Sequence, residues 1–143
     1  MATSEGERAW AALLRLHARL IPVFDRELHD ATGLSLVWYD VLLELNSADG
    51  RLRMSELGER VVLSRTRVSR IVDELVPAGL VAREPNPLDA RSSFAVLTDE
   101  GRRRFRAGAK VYRASIEREF TARLDDDELR ELARLTQQVG PAV

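Results

Sequence analysis

Between residues 55 and 97 the period of the apolar pattern changes abruptly, and this change restricts the fold more than any other feature of the chain. Ser55 opens a short segment carrying Leu57, Val61 and Val62. Ser64 opens a second, with Val68, Ile71, Val72 and Leu75 at three- and four-residue steps, running to Gly79. A serine ahead of each apolar-periodic run suits a helix N-cap. Helices of about eight and about fifteen residues separated by a tight Leu63-Ser64 turn form a helix-turn-helix. The run Leu80–Glu84, the polar stretch Pro85–Ser92 and the run Ser93–Leu97 then read as strand, loop and strand. A β-hairpin in that place is a wing, and Pro85 and Pro87 should stiffen its loop.

The flanks read as helices. Ser4 and Glu7 have capping-box spacing, and Trp10, Leu13, Leu14, His17, Ile21, Phe24 and Leu28 follow on one face of a helix from about Gly6 to Ala31. Pro22 inside it predicts a bend, and Gly33 a left-handed end. Ser35 caps a helix with Val37, Trp38, Val41, Leu42 and Leu45, which runs out in the turn Asn46–Gly50 before a short extended piece, Arg51 to Met54. Thr98, with Asp99 and Glu100 behind it, opens a helix striped by Phe105, Ala109, Tyr112, Ile116 and Phe120. Asp125 with Glu128 is a second capping box, and Leu129, Leu132, Leu135 and Val139 lead to a stop at Gly140-Pro141. The expected fold is mainly α with a small β-hairpin wing. It is one domain over 1–143, with a winged helix-turn-helix lobe at 34–98 on a helical platform made of 1–33 and 99–143.

A chain of 143 residues buries enough surface to fold without staples. The absence of cysteine excludes disulfides, thiolate metal sites and thiol-based sensing. No apolar run approaches the ~20 residues of a membrane span, and the polar, acidic N-terminus lacks a secretory pattern, so the expected residence is cytoplasmic.

The net charge of −1 is unevenly spread. Residues 1–50 carry 4 Arg against 8 acids, whereas residues 51–91 carry 8 Arg against 6. Arg60, Arg65, Arg67 and Arg70 lie in a stretch from Arg60 to Val72 that contains no acid. At roughly 100° per residue, Val68, Ile71, Val72 and Leu75 point one way and Thr66, Ser69, Arg70 and Asp73 the other. Guanidinium and hydroxyl groups on the free face suit a major groove, where Arg bonds guanine edges or phosphates and Ser or Thr bond to either. At the wing tip sits Arg91; an arginine on a thin hairpin can enter a minor groove too narrow for a helix, and Asp89 would orient it, or a recognition-helix arginine, through an ion pair.

The stretch from Ser55 to Val61, Leu63-Ser-Arg-Thr-Arg-Val-Ser-Arg70, Val72-Asp-Glu-Leu75, Gly79-Leu-Val81, Asp89-Ala-Arg91 and Leu97-Thr-Asp-Glu-Gly101 together resemble the MarR family of bacterial winged-helix transcriptional regulators. The resemblance implies a homodimer joined through its terminal helices, binding a palindromic double-stranded DNA operator, most often as a repressor. It implies Ser64, Arg65, Thr66, Arg67, Ser69 and Arg70 as major-groove and phosphate contacts, and Arg91, supported by Asp89, in the minor groove. It also implies release by a small aromatic or phenolic effector bound between platform and lobe, for which His17, Trp38, Tyr39 and Tyr112 are the candidates.

Other chemistries find little support. Asp125 to Glu128 is a run of carboxylates at a helix start, which the helix dipole favours without any catalytic role. Asp25 and His29 supply two ligands, too few for a metal site. With no phosphate loop, nucleophile elbow or zinc-protease helix, neither enzyme activity nor a cofactor is expected. The alternative reading is a winged-helix protein–protein interaction module without specific DNA binding, which needs neither the arginine face nor Arg91.

Overall fold

The computed structural model describes residues 3–140; Pro141, expected to stop the last helix, lies outside them. The element order is α1 (Glu5–Thr32), α2 (Leu36–Ser47), β1 (Arg51–Arg53), α3 (Met54–Arg60), α4 (Val68–Leu75), β2 (Val81–Pro85), β3 (Ser93–Leu97), α5 (Asp99–Glu119) and α6 (Asp126–Val139). Single 3-10 turns at Arg65–Arg67 and Thr121–Arg123 precede α4 and α6.

Local sequence chemistry fixes most helix ends. Ser4 Oγ accepts the Glu7 N–H while the Glu7 carboxylate accepts the Ser4 N–H, and Asp125 and Glu128 make the same exchange at α6. Gly33 ends α1 at φ 74°. The helix continues through Pro22, which has no N–H for the carbonyl of Ala18. The second half of α1 buries Leu20, Phe24 and Leu28 against α5, and the two are tied at several levels. Arg104 of α5 donates to the Thr32 carbonyl at 2.7 Å, satisfying an orphan group at the end of α1. Further along, the Ser115 hydroxyl and Arg118 both donate to Glu27. The Ser115 bond first, and Arg118 second, hold the Glu27 carboxyl below the usual carboxylate range. Its contribution to stability is therefore present above the ordinary Glu value and lost as pH falls through the lowered one.

The lobe is built on a three-stranded antiparallel sheet of order β1-β3-β2, with Leu52 opposite Ala95 and Val81 opposite Leu97. The short extended piece before α3 is thus the third strand of the wing sheet. Two expected boundaries differ. Arg53, not Ser55, is the residue before α3, and Glu56 accepts its N–H at 3.1 Å. Because α3 ends at Arg60, Val61 is buried in extended backbone while Val62 is 75% exposed and off the helix.

The recognition segment is also shorter than its periodicity predicts. Ser64 makes no side-chain cap bond; the Arg67 N–H returns to its carbonyl at 3.0 Å in a 3-10 turn, and the α-helix starts only at Val68. At the other end Pro77 cannot donate to the carbonyl of Asp73, so regular helix stops at Leu75. Gly79 at φ 77° then lets the Leu80 N–H reach back to the Leu75 carbonyl at 3.1 Å.

The N-terminal half of α1 and all of α6 leave apolar faces uncovered. Trp10, Leu13, Leu14, Leu135 and Val139 are exposed, and α6 has no buried residue. Among the described residues no helix is long and apolar enough to cross a membrane.

Candidate nucleic-acid interface

The turn that aims the recognition segment is held from inside the protein. Asp40 sits in α2, 7% exposed, and its Oδ2 accepts the N–H groups of Val62 and Leu63 at 2.8 and 2.9 Å. Those donors belong to the segment between α3 and the 3-10 turn, where no helix partner exists for them. A buried carboxylate with two backbone donors is a satisfied charge, and it fixes the turn far more tightly than apolar packing alone would.

From that anchor the outer face presents its polar groups. Arg65, Thr66, Arg67, Ser69 and Arg70 are exposed, Ser64 is half-buried, and Ile71, Val72 and Leu75 are buried beneath them. Arg65 donates to the Glu59 carbonyl at 2.8 Å. Arg70 lies 3.7 Å from Glu74, whose other oxygen accepts the Trp38 indole N–H at 3.0 Å. Among the described residues Arg67 has no ion-pair partner, so its full charge faces outward.

The wing is joined to this face by Arg83 of β2. Its Nη2 donates to Asp73 at 2.8 Å and to the Ser69 hydroxyl and carbonyl at 3.3 and 3.2 Å. A groove of about 340 Å³ is lined by Met54, Ser55, Val68, Ser69, Arg83, Arg91, Ser92 and Ser93. The structure thus brings Arg91 beside Ser69 on one surface. At the base of the hairpin the Arg51 guanidinium lies 3.7 Å over the Phe94 ring and 3.3 Å from Glu84, bracing all three strands.

Asp89 differs from its expected part. Its carboxylate accepts the backbone N–H of Arg91 at 2.9 Å, and no arginine pairs with it among the described residues. An acid two residues before the donor closes an Asx-turn, so it shapes the loop and leaves the Arg91 guanidinium unpaired. The loop's other organiser is Asn86, 8% exposed, which bonds Ser92 and the Leu88 N–H.

The four effector candidates do not come together in one open cleft. Tyr39 is 6% exposed, stacked on Phe105 with centroids 5.3 Å apart and met edge-on by Tyr112, which also packs on Phe24. Tyr39 is thus part of the core and Tyr112 is half-buried at its edge, and burial pushes both phenols above their usual pKa. Trp38 is committed to Glu74. His17 alone of the four borders a wide cleft of about 530 Å³, with Ile21, Asp25, Ser35, Leu36, Val37, Val62 and Leu63. That cleft separates the platform from the recognition turn.

Comparison with known proteins agrees with this architecture. The model of the MarR family matches residues 32–92, from the end of α1 through the wing loop. Sco3205, a MarR family transcriptional regulator from Streptomyces coelicolor solved in complex with DNA, superposes with a TM-score of 0.88 at 30% identity, covering 97% of this chain and 88% of that one. The chain belongs to the MarR family. The HTH-type transcriptional regulator YkoM of Bacillus subtilis is 31% identical over 99 residues, 69% of this chain and 64% of that protein. The HTH-type transcriptional repressor MdtR of the same organism is 31% identical over 96 residues, 65% of this chain and 59% of its own length. The match thus spans less than two thirds of either curated relative.

Several positions that shape this MarR lobe escape sequence reasoning. Asp40 and Arg83 act across 22 and 10 residues of chain, on Val62 and Asp73, and periodicity carries no trace of such partners. One signal did exist for Asp40: it is an acid directly between Tyr39 and Val41 on the apolar stretch of α2.

Proposed function

We propose that the protein is a homodimeric, sequence-specific regulator of transcription that binds double-stranded DNA as a repressor. The observation that carries this reading is the groove that Ser69 and Arg91 share, beside the exposed Arg67 and Arg70 of a segment whose preceding turn Asp40 holds in place. The Sco3205 complex supports DNA as partner, and the name of MdtR supports repression. In this reading 34–98 is the DNA-reading lobe, while 1–33 and 99–143 form the dimer platform. Two copies related by a twofold axis demand an inverted repeat, with half-sites about one helical turn, roughly 10 base pairs, apart. Selection from a randomised duplex pool should return such repeats. Recovery of no preferred sequence would favour a protein–protein module.

The uncovered apolar faces of α1 and α6 support the second copy. Leu135→Asp or Leu132→Asp should release monomers, seen by sedimentation, that fail on a two-half-site operator. A wild-type chain sedimenting as a stable monomer at micromolar concentration would contradict this.

A small aromatic anion as effector fits the His17 cleft better than the Tyr39–Tyr112 cluster, because Val62 and Leu63 form one wall of it. A ligand that binds better when the lobes are wrongly spaced shifts the dimer away from DNA, and by linkage saturating operator must weaken ligand binding by the same factor. Salicylate titrated against Trp38 fluorescence in a Trp10→Phe background, with and without operator, measures both affinities. Equal salicylate affinity in the two titrations would exclude release by this route.

A further inference from the structure

The wing tip carries a feature that charge-based reading of DNA does not use. Leu88 is 91% exposed, more than any other large apolar side chain among the described residues. A single exposed leucine is ordinary on a protein surface. The loop that carries it is not.

Loop residues 86–92 are bonded internally at almost every step. Asn86 is buried; its Oδ1 accepts the Leu88 N–H at 3.0 Å and its Nδ2 donates to Ser92 Oγ at 2.8 Å. The Asp89 N–H donates to the Asn86 carbonyl at 3.2 Å, and the Ser92 N–H to the Asp89 carbonyl at 3.1 Å. Pro85 and Pro87 fix two further φ angles. The Asp89 carboxylate is occupied by the Arg91 N–H. Two groups of opposite chemistry therefore remain displayed on a tip whose ordering entropy is already spent: the Leu88 isobutyl and the Arg91 guanidinium.

We propose that Leu88 and Arg91 form a two-part minor-groove probe, in which Arg91 follows the negative potential of the groove and Leu88 packs against the apolar deoxyribose walls and the adenine edges beside it. The inference rests on the DNA-binding reading and deepens it. The minor groove is about 6 Å wide, which admits a hairpin tip and excludes a helix, and its walls are C–H surfaces that an exposed leucine can desolvate. Guanine places an amino group on the groove floor, where an apolar side chain leaves that donor unpaired. Leu88 thus adds a preference for A·T pairs at the flanks of each half-site.

The test uses the full chain and a duplex selected by the wild-type protein from a randomised pool. Affinity is measured by fluorescence anisotropy across a salt series for wild type, Leu88→Ser and Arg91→Ala, with thermal melting as the control for folding. Leu88→Ser should bind about tenfold more weakly with an unchanged salt slope, because an apolar contact releases no counterions. Arg91→Ala should weaken binding and flatten the slope. Replacing flanking adenines by 2,6-diaminopurine, which adds an amino group to the groove floor, should weaken the wild type and affect Leu88→Ser much less. The proposal is overturned if Leu88→Ser stays within about twofold of wild type at every salt concentration; Leu88 then serves a protein partner or nothing, while binding that still responds to Arg91→Ala leaves the DNA reading intact. Wild-type protein with no salt-dependent duplex binding would remove both.

Discussion

Gly101→Ala is expected to destabilise the fold by about 3 kcal/mol, at the upper end of overpacking costs. A Cβ at this position would lie 2.0 Å from the Leu80 carbonyl oxygen and 2.8 Å from the Leu97 side chain. The first turn of α5 crosses directly over that carbonyl, which accepts the Thr98 N–H at 3.1 Å. Thr98 Oγ in turn accepts the Gly101 N–H at 2.9 Å and donates to the Gly79 carbonyl at 2.7 Å. The obstacle is therefore backbone held by its own hydrogen bonds, and relief requires α5 to lift from β2. Glycine to alanine inside a helix ordinarily stabilises by about 0.5–1 kcal/mol, so the sign of the change tests the packing argument. Gly6→Ala, with nothing nearer than Ser4 Oγ at 3.9 Å, is the matched control and should be neutral or stabilising. Urea midpoints for the two variants settle the matter; a Gly101→Ala chain as stable as wild type would show that the junction is looser than described.

Asp40→Ala should lose about 3 kcal/mol and most of its DNA affinity, because it removes two charge-assisted hydrogen bonds and leaves the Val62 and Leu63 N–H groups without partners. The loss of binding should exceed the fraction unfolded, since the freed turn carries Arg65, Thr66 and Arg67. Asp40→Asn keeps an acceptor oxygen of similar reach and should recover part of both. Folded Asp40→Ala protein that binds operator as wild type does would remove Asp40 from any positioning role.

What the sequence discloses here is local, and what it conceals is tertiary. The capping boxes at Ser4 and Asp125, the left-handed Gly33 and the apolar stripe of α4 involve residues within one or two turns, and each is where its neighbours dictate. Ser64 misleads because a serine before an apolar run suits an N-cap, whereas the bonds to Asp40 fix the preceding backbone and leave a 3-10 turn instead. Tyr39 and Tyr112 share the difficulty in another form. Aromatic rings with polar tips suit a ligand cleft or a core equally well, and only the three-dimensional packing shows Tyr39 on Phe105 and Tyr112 against Phe24. The arginines of the recognition segment are legible because exposure at the surface requires no partner at all.

The central claim, that this surface engages DNA phosphates through its unpaired arginines, is tested most directly by the slope of log affinity against log salt for wild type and Arg67→Ala on one operator duplex. The account predicts a steep linear fall for the wild type, since every neutralised phosphate releases counterions. In the proposed dimer Arg67→Ala removes two arginines and should reduce the slope by about two. A wild-type affinity that does not change with salt, or an Arg67→Ala slope equal to that of wild type, would contradict it.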